Sequence, residues 1–226
     1  MLTDTSNTQN VLQNYTARLA VRFEFILFPI DVAALLVVLT QAGYAAFNPP
    51  ANLAGAGLRI TVKGKIARKD NTEVELNDDR GVIAVLSSSP DSAVQSLTEI
   101  LGLIKDKLDV DIPAKAIFYE FISGLELKTG KNALEIMERA NEQNNCLGKF
   151  GKILGQDVSN FSLKLVSKGT VPSSPEWLEI TIEPNMIRPS VYRVLAIYRS
   201  KDKAQVDSFA CSWLENLSKI IEAVET

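Results

Sequence analysis

The sequence predicts an α+β fold: a tandem duplication of a β-α-β-β-β-α unit whose halves form one mostly antiparallel sheet with helices packed on one face. Three observations predict it. GVIAVLSSSPDSAVQSL (81–97) and RVLAIYRSKDKAQVDSF (193–209) align without a gap, setting Ala84 on Ala196, Ser88 on Ser200, Val94 on Val206 and Ser96 on Ser208. FEFI (23–26) recurs as YEFI (119–122). Around these matches the same order of strand and helix periodicities runs twice. The halves fall at 17–110 and 114–224, behind a flexible N-terminal tail at 1–16.

Taken in order, Leu19, Val21, Phe23, Phe25 and Leu27 alternate with Arg18, Ala20, Arg22, Glu24 and Ile26, the period of a strand with one face buried. Asp31, close behind Pro29, opens an apolar run from Val32 to Ala42 that stops at Gly43, as a core helix with a glycine C-cap does. After a Pro- and Gly-rich link at 48–57, Leu58, Ile60 and Val62 alternate with Arg59, Thr61 and Lys63. The turn Lys69-Asp70-Asn71 leads into Val74 and Leu76, predicting a hairpin, and VIAVL after Gly81 adds a third strand. Ser89 then supplies an N-cap and Pro90 the first position of a helix to Leu108.

The second half repeats the order. Ala116 to Ile122 reads as a strand, and Asn132 with Glu135 resembles a capping box that opens a helix to about Glu142. A looser stretch with Gly148, Gly151 and Gly155 follows. Strands are then predicted at Phe161–Leu165, Leu178–Ile182 and Val194–Tyr198. Asp202 caps a last helix with Val206, Phe209, Ala210, Trp213, Leu214, Leu217, Ile220 and Ile221 at amphipathic spacing.

This order of elements resembles the duplicated saddle of the TATA-box binding protein-like folds, with one strand fewer per half, and is similar to the duplicated barrels of bacterial effector-binding domains. The resemblance is one of topology and carries no family motif, so it implies a fold and leaves function to the residues.

Composition narrows the chemistry. The 226 residues include no histidine, which removes imidazole acid–base catalysis, Ser-His and Cys-His pairs and imidazole zinc ligands. Two distant cysteines, Cys146 and Cys211, read as reduced thiols of a cytoplasmic protein. The N-terminal stretch lacks the charged-then-apolar pattern of a signal peptide, and Ile26 to Leu39, broken by Pro29 and Asp31, is too short to span a bilayer. No membrane partner and no cofactor is expected.

Each chemical motif has a plainer account. GLELKTGKN (124–132) fails as a P-loop: its spacing is one residue too long, and Asn132 stands where a magnesium-binding hydroxyl belongs. GKFGKILGQD (148–157) reads as a mobile connection, and nothing fixes Ser87, Ser88 or Ser89 to Lys105 or Lys107 as a dyad. A saddle would bind nucleic acid on its helix-free face, where Arg59, Lys63, Lys65, Lys164 and Lys168 fall. Glu73, Glu75, Glu179 and Glu183 share that face, so its charge is balanced and nucleic acid is not the expected partner.

Function is therefore expected in binding rather than catalysis, at the open sheet face or the groove between halves, with open sheet edges favouring a homodimer. The candidate ligand-binding residues are Glu24, Glu120 and Arg22. If the first strands of the halves lie side by side, the glutamates of FEFI and YEFI meet near the pseudo-dyad and could take a cationic ligand or an oxygen-ligated metal. The alternatives from other classes are a carboxylate- or metal-dependent enzyme at that dyad and a nucleic-acid-binding saddle.

Overall fold

Alternation in the first strand holds in space. In the computed structural model, which describes residues 11–25, 28–47, 62–142 and 145–226, β1 runs Val11–Phe23 with Ala17, Leu19, Val21 and Phe23 buried on one side. Residues 11–16, expected in the tail, thus belong to the sheet. Asn14, at φ 49°, sits in the bulge where pairing with the neighbouring strand shifts register.

Asp31 caps α1 (Val32–Gln41), accepting from the Ala33 N–H at 2.8 Å, and Gly43 turns the chain out of the helix at φ 90°. A two-residue strand follows, β2 (Ala45–Ala46), for which the sequence shows no periodic signal. The Pro-rich link and the predicted strand positions Leu58, Arg59, Ile60 and Thr61 lie outside the described residues; β3 (Lys63–Lys69) begins just beyond them. β4 (Thr72–Asn77), β5 (Val82–Ser87) and α2 (Pro90–Leu108, capped by Ser89) then come where the sequence puts them.

In the second half β6 (Ala116–Lys128) is six residues longer than its predicted counterpart, because Leu125 and Leu127 continue the buried alternation beyond Gly124. Asn132 accepts from the Leu134 N–H and its amide donates to Glu135 Oε1 at 2.7 Å, closing the cap of α3 (Ala133–Glu142). The stretch expected as a loose connection is largely helical: α4 spans Asn145–Leu154 and contains Gly148 and Gly151. β7 (Leu163–Val166), β8 (Trp177–Pro184), β9 (Val191–Ser200) and α5 (Lys203–Glu225, capped by Asp202) complete the chain.

All nine strands join one antiparallel sheet in the order β2-β3-β4-β5-β1-β6-β9-β8-β7. From the β1–β6 seam outward, each side therefore runs through its third, second and first hairpin strands in turn. The core lies between the sheet and the helices. Ala93, Leu97, Ile100 and Ile104 of α2 and Val206, Ala210, Trp213 and Leu217 of α5 are buried against it. Across the seam, Leu19 is paired with Phe121, and Trp213 donates its indole N–H to Ser123 Oγ at 2.9 Å.

Cap chemistry sets the correspondence between halves. Ser87 Oγ accepts from the Ser89 N–H, and Ser200 Oγ from the Asp202 N–H; the second residue of each pair caps the following helix. Counted from these caps, Ala93, Leu97, Ile100 and Ile104 match Val206, Ala210, Trp213 and Leu217, and every member is buried. The gapless text match is one residue out of this register. It sets Ala84, which faces away from the helices beside Ala20, on Ala196 of the helix-side core, and a one-residue slip in a strand exchanges its faces.

Candidate functional site

The helix-free face of the sheet carries a continuous polar row. Lys65, Glu75, Ala84, Ala20, Glu120, Arg199 and Trp177 are successive register partners on β3, β4, β5, β1, β6, β9 and β8. Cross-strand partners share a face, so these side chains lie in one line across the sheet. At its centre Ala20 and Ala84 are 3% and 0% exposed although no helix covers them. Long charged side chains lie over them: small residues leave room for arginine and glutamate stems to run flat along the strands.

Those charges are joined end to end. Arg18 Nε lies 2.9 Å from Glu75 Oε2, and its Nη1 lies 3.7 Å from Glu120 Oε1. The other Glu120 oxygen is held by Arg199 Nε, and Arg199 Nη1 donates to the Pro172 carbonyl at 2.6 Å. Glu120, with its side chain 12% exposed, thus has an arginine on each oxygen.

Phe118 ends this network. It is 9% exposed, and two guanidinium groups lie near its ring: Arg199 at 5.1 Å and Arg22 at 5.7 Å from the centroid. Arg199 is neutralised by Glu120. Arg22 is exposed, and among the described residues it has no carboxylate within ion-pair distance. Its donors are oriented by the ring beneath and are free to meet an anion.

The predicted trio is thus only partly brought together. Glu120 and Arg22 both border Phe118, but Glu24 does not meet Glu120. Glu120 is opposite Ala20, whereas Glu24 lies beyond the end of β1 with its N–H bonded to the Lys115 carbonyl. Four residues of strand separate them along β1, about 13 Å at the usual rise. FEFI and YEFI match as text but not in register. With Val85 and Tyr198 equivalent by the caps, their partners Leu19 and Phe121 are equivalent too, so Arg18 stands where the second half has Glu120. Opposite charges, not like ones, flank the seam.

Elsewhere on this face Lys65 pairs with Glu73 and Lys164 with Glu179, each at 2.6 Å, while Lys63 and Lys168 are exposed and Arg59 lies outside the described residues. A second network, unforeseen from sequence, is centred on Glu126. It accepts from Asn14 at 2.8 Å and from Asn185 at 3.2 Å and is held by Arg188, which also donates to Gln13. The Arg188 guanidinium, then the Asn14 amide, hold the Glu126 carboxyl below the usual carboxylate range. It ties the start of β1 to the turn between β8 and β9. Its only sequence signal is the alternation of LEL at 125–127.

The motifs set aside on sequence grounds take structural roles. Gly124 to Lys128 are in β6, Ser87 and Ser89 bond at the head of α2, and Lys105 pairs with Asp111 at 2.8 Å. Among the described residues no cluster of three carboxylates or thiols could hold a metal. No protein-family model matches the chain, and no curated protein matches it.

Proposed function

We propose that the protein is a non-enzymatic binding protein built from two repeats of one β-α-β-β-β-α unit, and that its site is the open sheet face beside the β1–β6 seam. The observation that carries this reading is the Arg22 guanidinium, stacked over Phe118 and unpaired beside a network in which every other arginine is matched. Glu75 and Glu120 are engaged by arginines, which suits a fixed recognition surface better than a general base that must gain and lose protons. The ligand group favoured is a carboxylate, which matches the planar fork of arginine. No helix among the described residues is long and apolar enough to cross a membrane, and the free thiol of Cys211 supports a cytoplasmic setting.

The test is a titration of the isotope-labelled full chain with a blocked tetraglutamate peptide, followed by amide spectra. Saturable shifts at Arg22, Phe118 and Trp177 that disappear in Arg22→Ala support the reading. Shifts that survive Arg22→Ala, or none at those positions, overturn it.

A further inference from the structure

The two halves differ at one place on the helix side of the sheet. In the first half the chain leaves α1 through Gly43, buries Tyr44, and pairs Ala45 and Ala46 with Arg68 and Ala67 of β3. Tyr44 is 1% exposed; its hydroxyl donates to Glu99 Oε2 at 3.0 Å and meets the Ser96 side chain. Lys69 closes over it, with Nζ 5.0 Å from the ring centroid and 3.0 Å from Glu99 Oε1. Tyr44 and β2 together complete the layer over α2 and cover the β3 edge.

Counted from the helix caps, Ser96 and Glu99 of α2 correspond to Phe209 and Ser212 of α5. There the described residues offer no counterpart of Tyr44. Instead a groove of about 520 Å³ opens, lined by Tyr198, Ala204, Gln205, Ser208, Phe209 and Ser212. Its aromatic wall is ordered: Phe209 stacks on Tyr198 at 4.3 Å and on Trp213 at 5.7 Å between centroids. Such a ladder offers a face to one more ring, and the hydroxyls of Ser208 and Ser212 with the Gln205 amide supply partners for a phenol.

The adjoining edge is open as well. β7 is the last strand of the sheet, with no counterpart of β2 outside it among the described residues. Ala67, a β2 partner, lies opposite Val74; Ser167, whose N–H bonds the Leu178 carbonyl, lies at the same point beside β7. Val74 and Leu178 correspond through their partners Val85 and Tyr198. The groove and the edge thus stand to each other as the Tyr44 site stands to β2.

We infer that an extended segment of another protein completes the second half: it adds a strand beside β7 at Ser167 and Lys168 and seats a tyrosine in the Tyr198–Phe209 groove. Main-chain hydrogen bonds to the edge give affinity, and the ring gives specificity. This site is on the opposite side of the sheet from Arg22 and stands independently of the open-face reading.

The probe is the blocked peptide Ala-Gly-Tyr-Ala-Ala-Phe, a copy of residues 42–47, added to the labelled full chain. Saturable amide shifts are expected at Ser208, Ser212 and Leu163 to Lys168. Replacing the peptide tyrosine by alanine, or filling the groove by Ser208→Trp at an exposed helix position, weakens binding about tenfold or more, at least 1.4 kcal/mol. Absence of saturable shifts up to about 5 mM peptide, near the weak limit of specific contacts, overturns the inference. So do equal affinities of the tyrosine and alanine peptides, or shifts confined to β3 and α2. A dimer in sedimentation that Ser208→Trp dissociates also overturns it, by making a second copy the occupant.

Discussion

Glu120→Gln is the perturbation that bears most directly on the seam. The substitution keeps the volume of the side chain but removes the charge shared by Arg18 and Arg199, whose side chains are 27% and 20% exposed. A fully exposed ion pair would cost about 0–1 kcal/mol to break, and a fully buried one about 3–5 kcal/mol. With Glu120 itself 12% exposed, and one amide oxygen left to accept from Arg199, the expected loss is about 2 kcal/mol. For a chain of this size that lowers Tm by about 4–8 °C, read by calorimetry at neutral pH and low salt. Glu24→Gln is the control: exposed and outside the network, it should change stability by less than about 0.5 kcal/mol. A cycle of Glu120→Gln with Arg199→Gln should show a coupling of about 1 kcal/mol or more. Equal effects of the two glutamine substitutions would refute the assignment. Divalent cations should leave the wild type unchanged; metal-dependent stabilisation abolished by both substitutions would restore a paired-carboxylate site.

Ser123→Ala leaves the fully buried indole N–H of Trp213 without its acceptor, so urea unfolding should show a loss of about 1–3 kcal/mol at unchanged slope, partly recovered when Trp213→Phe removes the orphaned donor. The folded-state pKa of Glu126 is depressed, so its contribution is complete above the unfolded value near pH 4.3 and is lost as pH falls through the folded one. Arg188→Met should flatten that acid limb in a pH series of unfolding midpoints. Cys211 lies at the surface, yet burial of its thiol, followed by a hydrogen bond with Asp91, pushes its pKa up to about 11. In a Cys146→Ser background, alkylation by iodoacetamide should therefore be slow at about pH 8 and rise roughly tenfold per unit towards the thiol pKa. A rate equal to that of an ordinary cysteine would contradict the burial.

Local signals carried most of the fold. Asp31 before an apolar run, Gly43 behind it, Ser89-Pro90 and Asp202 each named a helix end, because capping is settled within a few residues. What escaped was of two kinds. β2 is two residues long, too short to show any period. α4 was hidden by its glycines, although Leu147, Phe150, Ile153 and Leu154 hold helical spacing; three of these side chains are exposed, so no burial demanded that the stretch be helical. The site was less legible than the fold. Arg18, Glu75, Glu120 and Arg199 come from β1, β4, β6 and β9, and what joins them is strand register, which depends on pairing across the sheet rather than on any one segment.

The seam also shows why a repeated motif can mislead about a site. Two copies of one unit meeting across a pseudo-dyad place equivalent residues beside each other. If both carried glutamate, two carboxylates would face each other where the alanines leave little water, at a cost that only a cation or a shared proton could relieve. The chain avoids this by differing at that one position: Arg18 in the first half stands where Glu120 stands in the second, and each becomes the counter-ion of the other. The same step leaves the charges unevenly satisfied. Glu120 takes two arginines, Arg18 takes two glutamates, and Arg22, one turn of the alternation further along β1, is left over its aromatic ring without an anion. Pairing the seam internally is thus what isolates Arg22 as the group able to recognise something outside the chain.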